Sequence, residues 1–384
     1  MKQDEIAYII KEEAIRIGFD SVGFTRAELA HSAQHYLDWI AEGYHGEMAY
    51  LARTAAQRLD PRNLLPAARS VIVVGLNYAP GELTVAGRGV RVSCYAWGED
   101  YHSVMRSRMK DLCRRVRERT GLAFAARICV DTAPLLEREF AQRAGLGWIG
   151  KNTNLTTRRF GVWLFLGVIL VDFDLPPDEP ARDRCGTCRR CIQACPTGAL
   201  IGPRLLDARR CISYLTVELK GAIPRDLRPA IGGHLFGCDE CLAVCPWNRF
   251  ALPTAEPRFA CRNHEILFDP ERILTLSEEE LQRRFASSPV SRIGRRGLAR
   301  NAAVVLGNLP ELGARSLCEA LSDREPVVRQ HAAWALGRRA KEMADRALNG
   351  ALQAEEDADV RSEIRKALES RAGEPWLGGR MAQG

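Results

Sequence analysis

One stretch constrains this chain more than any other: Cys185-Gly186-Thr187-Cys188-Arg189-Arg190-Cys191-Ile192-Gln193-Ala194-Cys195-Pro196. Its spacing, C-x2-C-x2-C-x3-C-P, is the run in which three thiolates hold one [4Fe–4S] cluster and the fourth reaches across to a second. A second set of cysteines is therefore expected downstream, and Cys238-x2-Cys241-x3-Cys245-Pro246 supplies it. A closed zinc site needs four ligands in two pairs and does not require this pattern. The spacing therefore favours two clusters.

The second run is one cysteine short. Its pattern would begin at position 235, which is Leu235, so the eighth thiolate must come from elsewhere. Cys211, between the runs, is the nearest candidate, and Cys261 is its rival beyond Pro246-Trp247. Exchanging the fourth ligands assigns Cys185, Cys188, Cys191 and Cys245 to cluster one. Cluster two then takes Cys195, Cys211, Cys238 and Cys241. Cys94, Cys113, Cys129, Cys261 and Cys318 have no ligand spacing and read as buried free thiols.

A chain of 384 residues has room for two or three domains, each with its own core. The N-terminus, Met1-Lys2-Gln3-Asp4-Glu5, is polar and is not followed by an apolar signal core. The longest apolar run, Val162 to Val171, is too short to span a bilayer. Thirteen cysteines without a secretion signal point to metal binding rather than disulfides, hence a soluble, cytoplasmic protein. The formal charge of +7 is modest and suits an anionic partner.

Residues 4 to 18 read as an amphipathic helix closed by Gly18, with Ile6, Ile9, Ile10, Ala14 and Ile17 at helical spacing. A short strand follows at Phe19 to Phe24, then an aromatic helical stretch from His31 to Leu51. The β-branched run Ser70 to Gly75 suits a strand buried on both faces. Ala126 to Val130, closed by Asp131, and Gly161 to Val171 read as further strands, with helices at about Tyr101 to Glu118 and Leu135 to Ala144. This alternation predicts an α/β domain over residues 1 to about 175. Asp131 lies at a strand end, where α/β sheets gather ligands; an Asp there also serves as a helix cap.

Gly145-Leu-Gly-Trp-Ile-Gly-Lys-Asn152 is glycine-rich but follows a helix and precedes a strand, the reverse of a dinucleotide fingerprint. It reads as a loop whose glycines let a bulky ligand approach, with Lys151 and Asn152 as polar contacts. Asp100-Tyr101-His102-Ser-Val-Met105 is similar to the opening of the D-x-H-x-x-G motif that gives histidine to cobalt in one class of cobalamin enzymes, but Met105 replaces the glycine. The cobalt-ligand role is therefore not carried over.

Pro176-Pro-Asp-Glu-Pro180 reads as a linker into a cluster module ending near residue 260. The last third is helical and repeated: Arg300-Asn-Ala-Ala-Val-Val-Leu-Gly307 answers to Gln330-His-Ala-Ala-Trp-Ala-Leu-Gly337 after 30 residues. Such pairs look like HEAT-type repeats. Between 283 and 300, Arg283, Arg284, Arg292, Arg295, Arg296 and Arg300 occur with no acidic residue. The run is either a solvated face or a phosphate-backbone contact, with Arg292, Arg295 and Arg296 as the residues that would bind nucleic acid.

Taken together, the chain resembles the epoxyqueuosine reductases, which are related to reductive dehalogenases and complete queuosine at the tRNA wobble position. The resemblance rests on Tyr95-Ala-Trp-Gly-Glu-Asp-Tyr-His102, Val130-Asp-Thr-Ala-Pro134, Gly147-Trp-Ile-Gly-Lys-Asn-Thr153 and both cysteine runs. It implies a multidomain α+β protein: an α/β cobalamin-binding domain over 1–175, a ferredoxin-like module with two [4Fe–4S] clusters over 176–260, and a tRNA-binding HEAT-like domain over 261–384. It implies cobalamin, reduced through the clusters by a ferredoxin- or flavodoxin-type donor and acting on an epoxide of a tRNA base, with Asp131 as proton donor. Cys94 and His102 would line that pocket, with Arg58, Lys151, Asn152 and Leu166 as further contacts. One chain carries every part, so a monomer would suffice. The alternatives are a cobalamin-dependent, dehalogenase-like reductase and a plain ferredoxin-type electron-transfer protein.

Overall fold

The structure is a computed structural model describing residues 1–81, 89–339 and 342–372. It divides into two compact units, each assembled from separated segments. The described residues within Met1–Leu83, Cys94–Cys211 and Asp239–Arg262 form the first unit; those within Thr84–Ser93, Ile212–Cys238 and Asn263–Gly384 form the second.

The first unit is built on a four-stranded sheet of β1 (Ser21–Arg26), β2 (Ser70–Asn77), β3 (Ala126–Cys129) and β4 (Leu164–Val171), in spatial order β1-β2-β4-β3. All eight residues of β2 are buried, as its β-branched run predicts. Side chains alternate across the pleat. Ile72, Val74, Ile169 and Val171 pack under the helices Gln3–Ile17 and Tyr101–Thr120, against Ile10, Ala14, Met105, Met109 and Leu112. Val71, Val73, Val168 and Leu170 face the other way and are covered by Phe140 and Ala141 of the helix Glu137–Arg143. Gly167 lets the long helix sit close, since a Cβ there would meet the Met109 sulfur at 2.6 Å.

One expectation is corrected here, and another is sharpened. The α/β domain read from the strand–helix alternation is built on a sheet whose pairings are all antiparallel. Burial of β2 on both faces comes from helices covering both sides, not from parallel strands. The stretch 31–51 is not one helix: it breaks into Ala33–Ala41 and Ala49–Arg53. Gly43 and Gly46 adopt left-handed φ of 66° and 59° between them, a conformation that ends a right-handed helix.

The second unit is helical. The helices Gly294–Asn308, Pro326–Gly337 and Ala358–Ala372 are the repeating element, with Ala314–Ala320 and Glu342–Ala354 between them. The repeat glycines are explained by close packing: a Cβ on Gly307 would meet Trp334 at 2.5 Å, and one on Gly337 would meet Ala367 at 2.8 Å. Position 235, where the second cysteine run falls short, is core. Leu235 is fully buried in His234–Phe236, which pairs in parallel with Arg91–Val92. The Leu235 carbonyl accepts from Asn301 Nδ2 at 3.0 Å.

Arg300, read from sequence as part of a basic run, is buried in this unit. Its guanidinium donates to the carbonyls of Leu219, Gly221 and Leu215 at 2.7, 2.8 and 2.9 Å. His331 is fully buried beside it and receives the Ile223 amide on Nε2 at 3.1 Å. Burial, and then the nearby Arg228 cation, hold its pKa well below the usual range, so the ring is neutral.

Candidate active site and cluster loops

Asp131 stands just beyond β3 with φ of +45°, a left-handed conformation that Asp tolerates better than most residues and that concentrates at functional sites. It is not a helix cap: the following helix begins at Glu137 with Leu136 at its N-cap and no capping side chain. Its carboxylate is about half exposed (51%) and lies 3.1 Å from His102 Nε2. Asp100, which caps the helix carrying His102, approaches His102 Nδ1 at 2.6 Å. Both ring nitrogens are thus engaged by carboxylates. Burial alone would pull the His102 pKa down, but the two carboxylates outweigh it and the net direction is up.

Tyr101, buried, also hydrogen-bonds Asp131; burial first, and then the Asp131 charge, push its pKa well above the ordinary phenol range. Its ring stacks on Phe165 at 4.2 Å, which stacks on Tyr78 at 4.1 Å, which meets Trp163 edge-on at 5.7 Å. Trp163 then packs in an apolar cluster with Cys94, Leu242 and the partly buried Cys241 and Cys245. A continuous aromatic wall therefore runs from the acid group to the cysteine loops.

Glu137 is the residue that sequence reading missed. The Asp131 backbone N–H donates to its carboxylate at 2.5 Å. Burial, and then the Asp131 charge, push its pKa up to about 8, so it holds a proton at neutral pH. The only sequence signal was an acid in the first turn of a helix, which ordinarily reads as favourable to the helix dipole.

The other expected pocket residues separate into groups. The Cys94 amide donates to Asp239 at 2.7 Å, and burial followed by the Asp239 charge raises its thiol pKa, making it a poor nucleophile. Leu166, in β4, packs with the cluster that includes Ala133. Arg58 donates to Thr54 at 3.1 Å and lies over the Tyr50 ring, away from these contacts. Lys151 and Asn152 brace the cysteine loops instead: Lys151 Nζ donates to the Gly186 and Cys188 carbonyls at 2.6 and 2.9 Å, and Asn152 Nδ2 to the Cys241 carbonyl at 3.2 Å. The glycines preceding them do not open a path for a ligand. A Cβ on Gly147 would meet the Thr156 carbonyl at 2.3 Å, and one on Gly150 the Asn152 and Thr156 side chains below 3 Å. They are glycine because the hairpin Trp148–Ile149/Leu155–Thr156 closes on them.

All thirteen cysteines are free. Four of them share one neighbourhood: the Cys245 thiol is pushed up to about 11, first by burial and then by Cys185, Cys191 and Cys188. Such mutual crowding of thiols fits a cationic cluster, which would hold them as thiolates. Among the described residues no three His, Cys, Asp or Glu are arranged around a single metal ion. Cys195 accepts the Ala199 amide on sulfur at 3.2 Å. Cys261 is a near neighbour of Cys94, whose thiol it helps to raise.

Of the arginines expected to meet nucleic acid, Arg295 is largely buried (side chain 11% exposed), bound by Asp323 and donating to the Leu276 carbonyl at 3.0 Å. Arg296 is exposed, with Glu325 at 3.6 Å, and Arg292 is exposed. The acids absent from the run in sequence arrive from neighbouring turns.

Three family models match: "Epoxyqueuosine reductase QueG" over 58–132, a "4Fe-4S double cluster binding domain" over 184–248, and HEAT repeats over 295–369. An epoxyqueuosine reductase of Xanthomonas campestris is 44% identical over 337 residues, covering 85% of this chain and 94% of that protein. The chain belongs to the epoxyqueuosine reductase family. A crystal structure of an epoxyqueuosine reductase with an epoxyqueuosine-modified tRNA-Tyr stem loop superposes with a TM-score of 0.89 at 31% identity, covering 97% of this chain and all of that one. The Bacillus subtilis epoxyqueuosine reductase, described with its aspartate catalytic loop swung out of the active site, gives a TM-score of 0.87 at 32% identity over 96% of this chain and all of that one. Among the described residues no helix is long and apolar enough to cross a membrane.

Proposed function

We propose that this chain reduces epoxyqueuosine to queuosine in tRNA, with Asp131 delivering the proton that turns the epoxide oxygen into water. The observation that carries this reading is the placement of Asp131: half exposed, in a left-handed turn, and held by His102, Tyr101 and the carboxyl of Glu137. Removing the epoxide oxygen as water consumes two electrons and two protons, so an acid must sit at the reacting face.

Cobalamin, when bound, supplies a strongly reducing cobalt centre. The residues fit such a group. His102 has both nitrogens engaged by carboxylates, so the residues that would hold a corrin here are the aromatic wall and the Asp131 turn rather than this imidazole. His102 orients Asp131 and its raised pKa provides a proton to reload it; Tyr101 donates to the same carboxylate; Glu137, protonated at neutral pH, fixes the backbone of the turn. Cys94 lies along the wall beside Trp163, whereas Leu166 packs on the opposite face of the sheet near Ala133. Lys151 and Asn152 serve by holding the cysteine loops in place, and Arg58 is held by Thr54 and the Tyr50 ring.

Cys185, Cys188, Cys191 and Cys245 would hold one [4Fe–4S] cluster, and Cys195, Cys211, Cys238 and Cys241 the other; such clusters would supply one-electron transfer. The domain boundaries 1–175, 176–260 and 261–384 follow the chemistry, with the repeat domain contacting tRNA through Arg292 and Arg296. The protein acts in the cytoplasm, as a monomer, with an external donor of ferredoxin or flavodoxin type.

An anaerobic absorption spectrum of the purified protein, with and without cobalamin, combined with an iron count, tests this reading. Eight irons and a corrinoid spectrum that changes on binding are expected. Four irons, or no corrinoid bound, would overturn it.

A further inference from the structure

Beside cluster one the surface carries a basic cavity that the reaction itself does not use. It is open to solvent, about 780 Å³ in volume, and lined by Arg190, Gln193, Ala194, Cys245, Asn248 and Arg249. Cys245 belongs to the four-thiol group, so one wall of the cavity is a cluster ligand. Arg182, Arg184, Arg189, Arg190 and Arg249 are all exposed on the loops that carry these cysteines. None of the five forms an ion pair among the described residues. The acid among them, Asp183, is taken by Arg204 at 2.5 Å. Two exposed apolar side chains follow Arg249 in the chain, Phe250 (45%) and Leu252 (61%), with the Arg249 guanidinium 4.6 Å above the Phe250 ring.

We propose that the cavity of Arg190, Arg249 and the Cys245 loop, together with the arginines without ion pairs on the first cysteine run, is the docking site of an acidic electron-carrier protein that delivers electrons one at a time to cluster one. The inference rests on the reading that the clusters feed the reduction. Surface arginines in ion pairs add little to recognition; five without partners, clustered at one redox centre, produce a field that steers an anionic partner to that point. Arginine and aromatic side chains together are the composition of a protein–protein interface core. A nucleic acid would also answer to the charge, and Phe250 offers a base a stacking face, but Leu252 gives it no such contact and the reduction gives it no reason to be held against a cluster thiolate. Each encounter oxidises the carrier by one electron and reduces cluster one by one; two encounters supply the two electrons that, with two protons, release the epoxide oxygen as water.

The test is the binding of the cluster-loaded protein to a purified acidic flavodoxin and to a purified two-cluster ferredoxin, measured by calorimetry at low and at moderate salt. Binding by at least one carrier, weakening with salt, is expected. The triple variant Arg184→Glu, Arg190→Glu and Arg249→Glu should lose roughly tenfold or more in affinity for that carrier, with iron content and affinity for an epoxyqueuosine stem loop unchanged. If the triple variant loses iron, Arg249→Glu with Phe250→Ala, which leaves the first cysteine run untouched, must show the same loss of carrier binding. No binding of either carrier, unchanged carrier affinity in a fully loaded variant, or a loss confined to the stem loop each overturns the proposal. Failure of the underlying enzymatic reading is separate, since it appears as no conversion of epoxyqueuosine with a chemical reductant.

Discussion

The backbone amide of Asp131 donates to the carboxyl of Glu137 at 2.5 Å, and this contact joins the exposed acid to a half-buried carboxyl that keeps its proton. The folded pKa of Glu137, about 8, lies above its unfolded value of 4.5. The folded state therefore binds more protons between these values, and the stability contribution falls as pH rises from about 4.5 through 8. Glu137→Gln, which keeps the shape and cannot ionise, should flatten this part of the stability–pH curve. Thermal unfolding of both proteins across that range checks it.

His102 also has a raised pKa, so its contribution is present below the ordinary histidine value of about 6.5 and is lost as pH rises through the folded value. Turnover that depends on His102 reloading Asp131 should fall on the alkaline side. His102→Gln should lower the rate at neutral pH and remove this limb of the profile, with tRNA affinity unchanged.

Arg300 separates a structural arginine from a binding one. Arg300→Ala leaves the Leu215, Leu219 and Gly221 carbonyls without their donor in a buried site, at a cost of about 3 kcal/mol or more. A clear fall in melting temperature is expected. Arg292→Ala with Arg296→Ala should leave stability alone, weaken tRNA binding and reduce its salt dependence; Arg295→Ala, which breaks the Asp323 pair, should resemble Arg300→Ala.

Lys151 and Asn152 hold the cysteine loops by donating to three main-chain carbonyls. Lys151→Met keeps the length and removes the donors. Its clusters should bleach faster in air at unchanged initial iron content, which absorbance over time measures.

Much of this was legible in the sequence because it is written in spacing. The cysteine runs, the repeat in Arg300–Gly307 and Gln330–Gly337, and the buried β2 all reflect local periodicities that the fold preserves. What the sequence concealed depends on residues distant along the chain. The antiparallel sheet depends on which strands meet, and alternation of elements does not encode that. Gly147 and Gly150 resemble a ligand loop until Thr156 closes on them. Arg295 and Arg300 look like part of a basic face because Asp323 and the 215–221 carbonyls are supplied from elsewhere. Glu137 was hidden for the same reason: its burial and its contact with Asp131 arise only when the turn folds back.

The central claim is that Asp131 supplies the proton for epoxide reduction. The decisive measurement is the single-turnover rate of conversion of epoxyqueuosine to queuosine in tRNA by Asp131→Asn, fully loaded with clusters and cobalamin and driven by a chemical reductant. A fall of roughly 10²–10⁴-fold, with tRNA affinity and cofactor content intact, is the predicted result. A rate equal to that of the unaltered protein would contradict it.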